Sequence, residues 1–112
     1  MAVAGGLDPY NAAMTLSEKQ KKHLRRLAHP RSPLVMLGNA GLTEAVVEEL
    51  ERALADHELV KVSARVGDRS ARDAALAELA RRTSAFMVQR IGNVGVFYRR
   101  RQGLAKVILP DD

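Results

Sequence analysis

Hydrophobic and polar positions recur at two different periods along this chain, and each change of period marks an element. From residue 16 to 28 the period is helical. Leu16, Leu24 and Leu27 share one face, and Lys19, Lys21, Lys22, Arg25 and Arg26 occupy the opposite side. Thr15 or Ser17 can cap the start, while Pro30 and Pro33 stop the helix. Leu34 to Leu37 is an apolar run of strand length that leads into the loop Gly38-Asn39-Ala40-Gly41. Thr43 then caps a second helix, running to about Asp56, whose buried stripe is Val46, Val47, Leu50, Ala53 and Leu54.

Between Leu59 and Val66 the period falls to two. Val60, Val62, Ala64 and Val66 lie on one side and Lys61, Ser63 and Arg65 on the other, which predicts a half-buried strand. Gly67-Asp68 turns the chain. Ser70, with Asp73 three residues later, has the form of a capping box for a third helix over residues 71–83, with Ala75, Leu76, Leu79 and Ala80 as core contacts. Phe86 to Ile91 and Val94 to Arg99 are β-rich runs joined by Gly92-Asn93, the signature of a hairpin, and Val107 to Leu109 can add a short final strand. The order α-β-α-β-α-β-β predicts a single α/β domain, a mixed four-stranded sheet packed by helices. Residues 1–14 contain Gly5, Gly6 and Pro9, show no periodicity, and are expected to be a flexible tail, with Met14 as an alternative start.

Charge changes this picture. The net charge of +5 and pI of about 10.1 favour a polyanionic partner. Six of the eighteen cations fall between Lys19 and Arg31, where the neighbouring acid is Glu18; six of the thirteen acids fall between Glu44 and Glu58, against Arg52 alone. A helix that stabilises itself through surface pairs mixes signs at i, i+4. The stripe of Lys19, Lys22 and Arg26 does not, so a nucleic-acid contact is preferred there to a merely solvated face.

The loop from Gly38 to Gly41 follows a strand and opens a helix. Helix N-terminal N–H groups are donors at the positive end of the macrodipole, and glycines let the backbone approach a phosphate closely. RNA-binding KH domains use a GxxG loop in this way. The alternative is a plain tight turn. Gly92 to Gly95 repeats the spacing but joins two strands, so it reads as a hairpin and not as a second site. Arg99, beside Tyr98, leaves two readings open: an RNA contact, or a cation that solubilises a strand end above an aromatic core residue.

Catalysis finds no support in these residues. The chain has no cysteine; His23, His29 and His57 lack metal-ligand spacing; and no phosphate-binding Walker loop, nucleophile elbow or dinucleotide fingerprint is present. No cofactor or metal is expected. No apolar run reaches membrane-spanning length, so a cytoplasmic protein without a membrane partner is expected.

The segments Leu16 to Lys21, Leu27 to Pro30, Leu37 to Thr43, His57 to Val62 and Gln89 to Arg99, in that order, resemble the single-domain bacterial CRM proteins of the YhbY type. The resemblance covers roughly residues 14–110. It implies an α/β fold like the C-terminal domain of translation initiation factor three, with residues 15–112 as the RNA-binding domain. It also implies a monomer bound to ribosomal RNA in precursors of the large ribosomal subunit. Carried onto this chain, the RNA surface is Lys19, Lys21, Lys22, Arg25, Arg26 and Arg31 with Gly38, Asn39, Ala40, Gly41 and Thr43, and Arg99 as a further candidate. Many family members carry a basic residue inside the loop. Asn39-Ala40 departs from that pattern, leaving the loop with backbone donors and no charge. A rival function is a protein-interaction adaptor whose acidic helix over 44–58 docks a basic partner such as a ribosomal protein.

Overall fold

The computed structural model describes residues 15–101 and 103–111; the expected tail over residues 1–14 lies outside them. Helix α1 spans Glu18–Ala28 and starts at a reciprocal capping box. Gln20 N–H donates to Ser17 Oγ at 3.1 Å, and Ser17 N–H donates to Gln20 Oε1 at 3.0 Å. Strand β1 is Val35–Leu37, helix α2 Glu44–His57, strand β2 Leu59–Ala64, helix α3 Arg69–Thr83, and strands β3 Phe86–Ile91 and β4 Val94–Tyr98 form the hairpin. The sheet order is β1-β2-β4-β3, with β1 parallel to β2 and the other pairs antiparallel, which is the mixed four-stranded sheet expected.

Two expectations require correction. Helix α3 begins at Arg69 and not at residue 71, because Asp68 and not Ser70 is its cap: Ala71 N–H donates to Asp68 Oδ1 at 2.9 Å. Residues 107–109 form no strand. The first N–H that such a strand would use, that of Val107, is taken by Glu58, whose buried carboxylate also accepts from Arg101 and Lys106 N–H, all at 2.7–2.8 Å. Glu58 itself ends α2 in a left-handed turn, with φ of 65°.

The strand alternation divides the core into two layers. On one side Val35, Leu37, Val60, Val62, Ala64 and Phe97 pack under α2 and α3, which contribute Val47, Leu50, Leu54, Leu76 and Leu79. Each such leucine stabilises the fold by roughly 1.5–3 kcal/mol through burial. The Phe97 ring folds back over position 95 and requires glycine there, since a Cβ would meet that ring at 2.9 Å and Leu76 of α3 at 3.4 Å. On the other side α1 lays Leu24 and Ala28 on Leu59, Val88, Val96 and Tyr98, and Val107 closes the layer. Gln20 Nε2 donates to Pro110 O at 3.0 Å and ties the same helix to the C-terminal segment. Strands β1 and β2 end, and β3 turns into β4, at one end of the sheet. The loop 38–41 and the Gly92-Asn93 turn therefore lie along that edge.

Candidate functional site

The sheet separates charge by side. Over α2 and α3 four cations have carboxylate partners, Arg82 with Glu44, Arg81 with Glu78, Arg90 with Asp73 at 2.9 Å, and Arg99 with Glu51 at 2.7 Å, whereas Arg52, Arg69 and Arg72 pair with no carboxylate among the described residues. The Arg81 guanidinium holds the Glu78 carboxyl below the usual carboxylate range. On α1 the ion pair among the described residues is Lys21 with Glu18, at 3.5 Å and largely exposed. Lys19, Lys22, Arg25 and Arg26 have no carboxylate partner among the described residues, and Lys19, Lys22 and Arg26 point to solvent. A single-sign group like this raises the local potential for an anion and repels itself until one arrives.

The loop is a tight turn in which Gly41 N–H donates to Gly38 O at 2.9 Å. Gly41, at φ of +75°, occupies the left-handed region that favours glycine. Gly38 does not: its φ lies outside that region, and an added Cβ would meet nothing within 4 Å. The fold therefore has no steric need of glycine at position 38. Asn39 and Ala40 are exposed at the tip, while Thr43 Oγ1 accepts from Val46 N–H at 3.2 Å and fixes the start of α2 behind them. Arg65 N–H donates to Leu37 O at 2.8 Å, setting an exposed cation directly beside the loop.

Arg31 and Lys61 meet where α1 ends. Lys61 Nζ donates to the carbonyls of His29 and Arg31 at 3.2 and 2.9 Å, and Arg31 Nη1 donates to Leu59 O at 3.0 Å. With His57 and Lys106 they line an open hollow of about 500 Å³ that has no carboxylate in its wall.

Of the sequence-derived site residues, the α1 cations and Arg31 share one side of the sheet, and Gly38 to Thr43 stand at its end. Helix α1 packs on β2, β3 and β4, whereas the loop belongs to β1, so a strip of sheet lies between them. Arg99 is set apart: its guanidinium bridges Glu51 Oε1 and, at 2.9 Å, the carbonyl of Thr83 on the α2/α3 side. Phe97 and Tyr98 are both core. Burial, reinforced by the nearby Glu58, pushes the Tyr98 hydroxyl up to about 12. Lys61 and Arg65 were missed as site residues. Their signal was the polar side of the β2 alternation, but nothing in the sequence told which neighbours that side would meet. Among the described residues no group of three or more His, Cys, Asp or Glu could hold a metal ion, and no helix is long and apolar enough to cross a membrane.

The chain is 47% identical over 96 residues to an "RNA-binding protein" of Haemophilus influenzae, covering 86% of this chain and 96% of that one. It is 41% identical over 87 residues to "Probable RNA-binding protein PA4753" of Pseudomonas aeruginosa, covering 78% and 84%. The fold matches the solution structure of SAV1595 from Staphylococcus aureus with a TM-score of 0.74 at 30% identity, covering 86% of this chain and 100% of that one. The CRS1 / YhbY (CRM) domain matches residues 16–99, from the foot of α1 to the end of the hairpin, and the chain belongs to that family.

Proposed function

We propose that this chain binds structured RNA and catalyses no reaction of its own. In this reading Lys19, Lys21, Lys22, Arg25, Arg26 and Arg31 neutralise phosphates on the α1 side of the sheet. The loop Gly38-Asn39-Ala40-Gly41 comes up against the sugar-phosphate backbone, and Thr43 orients the α2 N-terminus behind it. The observation that carries the reading is the clustered, single-sign face of α1, where Lys19, Lys22, Arg25 and Arg26 have no carboxylate partner among the described residues. Two others support it. Glycine at 38 serves no internal need, which is understandable if an outside backbone comes close. Arg65 supplies beside the loop the cation that Asn39-Ala40 lack. Arg99 is left out, since its guanidinium is engaged within the fold. The target proposed is ribosomal RNA in precursors of the large subunit in the cytoplasm, as the resemblance to YhbY-type proteins implies.

The test is binding to a ribosomal RNA fragment across a salt series, with Lys19, Lys22 and Arg26 intact or all changed to alanine. Losing three phosphate contacts flattens the slope of log affinity against log salt by about two for a single strand. An unchanged slope removes α1 from the interface. Sedimentation of cell extracts tests the target: co-migration with large-subunit precursors is expected, lost on RNase treatment. Co-migration that survives RNase and depends on the exposed Glu48 and Glu49 favours the adaptor reading instead.

A further inference from the structure

The strip of sheet between α1 and the loop is a row that crosses all four strands. Met36 lies opposite Ser63, Ser63 opposite Val94, and Val94 opposite Ile91. Residues opposite one another share a face, and this row faces the α1 side, because Leu59 two pairs below it packs under that helix. At strand spacings near 4.8 Å the row is about 14 Å wide. Helix α1 does not reach it. The helix ends at Ala28, over the row below, and Ala28 and His29 border a shallow hollow with Lys61, Gln89, Ile91, Val94 and Val96. Met36 and Ile91 are consequently 56% and 64% exposed at the two ends of the row.

We infer that this row receives unpaired bases of the bound RNA; the inference rests on the RNA-binding reading above and names the kind of RNA. Unstacked bases pack on exposed side chains, most strongly on aromatic ones but also on apolar ones such as Met36 and Ile91, whereas a paired duplex offers an apolar face only at its ends. The surroundings fit a polyanion's bases better than an apolar peptide. No carboxylate lies on this face of the four strands, the Lys61 ammonium is pinned in the adjoining row, and the cations of α1 begin one turn beyond it. Gly38 is two residues from Met36, so a backbone passing the loop delivers its bases to the row. Amides stand at both margins, Gln89 in the hollow and Asn93 at the hairpin tip, where its Nδ2 lies 3.4 Å from Ser63 Oγ. Such groups can donate to and accept from base edges. The RNA selected is therefore a loop, bulge or single-stranded end flanking a helix.

The test compares two RNAs of equal length and charge, a continuous duplex and the same duplex carrying a bulge of unpaired nucleotides, against the natural protein and the double variant Met36→Thr, Ile91→Thr. Both side chains are exposed and threonine suits a strand, so the variant folds; thermal melting checks this. The natural protein is expected to bind the bulged RNA about tenfold more tightly. The double variant is expected to lose most of that advantage, with duplex affinity and salt slope unchanged, because no cation is removed. Equal affinity of the natural protein for the two RNAs, or a variant that keeps the preference, overturns the base-receiving row and leaves RNA binding standing. Binding to neither RNA overturns the RNA-binding reading itself. A partner retained after nuclease digestion but lost in the double variant assigns the row to a protein and overturns the inference.

Discussion

One sheet presents two unlike faces. Beneath α2 and α3 the alternating apolar residues are covered along the strands, and four of the cations nearby, Arg81, Arg82, Arg90 and Arg99, close onto carboxylates. Beneath α1 the same alternation is covered only in part, and the cations on top have almost nothing to close onto. Both faces come from the same strands, so the difference reflects what was packed on each side, not how the sheet is built. Covered apolar surface with matched charge holds the domain together. Uncovered apolar surface with unmatched charge contributes little to stability, and its composition is better explained by an external partner.

The sharpest way to break this division is to move damage from one face to the other. Leu50→Ala, on the covered side, should cost about 2–5 kcal/mol in urea denaturation and leave RNA affinity per folded molecule unchanged. Lys19, Lys22 and Arg26 changed together to alanine should do the reverse. Affinity falls by about two decades near 0.1 M salt while the melting temperature holds or rises, since three repelling charges are gone. Gly95→Ala should cost about 1–3 kcal/mol, read in the same denaturation series, because the Phe97 ring, with Leu76 of α3 behind it, leaves no room for the methyl group. The loop glycines divide along the same line. Gly41→Ala strains a left-handed residue and should cost about 1 kcal/mol, whereas Gly38→Ala should leave stability alone and weaken RNA binding.

The effect confined to alkaline conditions is a pH dependence. The Tyr98 hydroxyl is raised in the folded chain to about 12, above its ordinary value of 10.0. The stabilisation by its neutral form is complete below the unfolded pKa and declines as pH rises through the folded one. Stability should therefore fall between about pH 10 and 12, at up to about 1.4 kcal/mol per pH unit. Tyr98→Phe should remove that part of the slope, which denaturation at several alkaline pH values measures.

Much of the fold was legible because each element carries its own period. The alternation from Val60 to Ala64 and the Gly92-Asn93 turn are local signals, and tertiary packing confirmed them without competition. The cap of α3 was misread because two acceptors, Asp68 and Ser70, stand within three residues, and the sequence does not rank them. Asp73, expected in a capping box, instead pairs with Arg90. The strand anticipated at residues 107–109 was lost to a carboxylate about fifty positions away, and no local rule detects that. In the candidate site, the α1 cations were legible from sign and spacing alone. Lys61 and Arg65 were not, because their meaning depends on the β1–β2 register, and Arg99 looked exposed until Glu51 and the Thr83 carbonyl were found beside it.

The Glu58 carboxylate gathers backbone from both sides of residue 103, and Gln20 near the start of α1 reaches Pro110. This connection sets an order of assembly during synthesis. Strands β1 and β2 with α2 can pair as soon as they emerge from the ribosome, but the seat of α1 includes Val96, Tyr98 and Val107. The cationic helix, made before the residues it rests on, is thus among the last of the described elements to be seated. Until the segment near Pro110 has emerged, its lysines and arginines are carried on a loose strand of chain instead of a shaped surface.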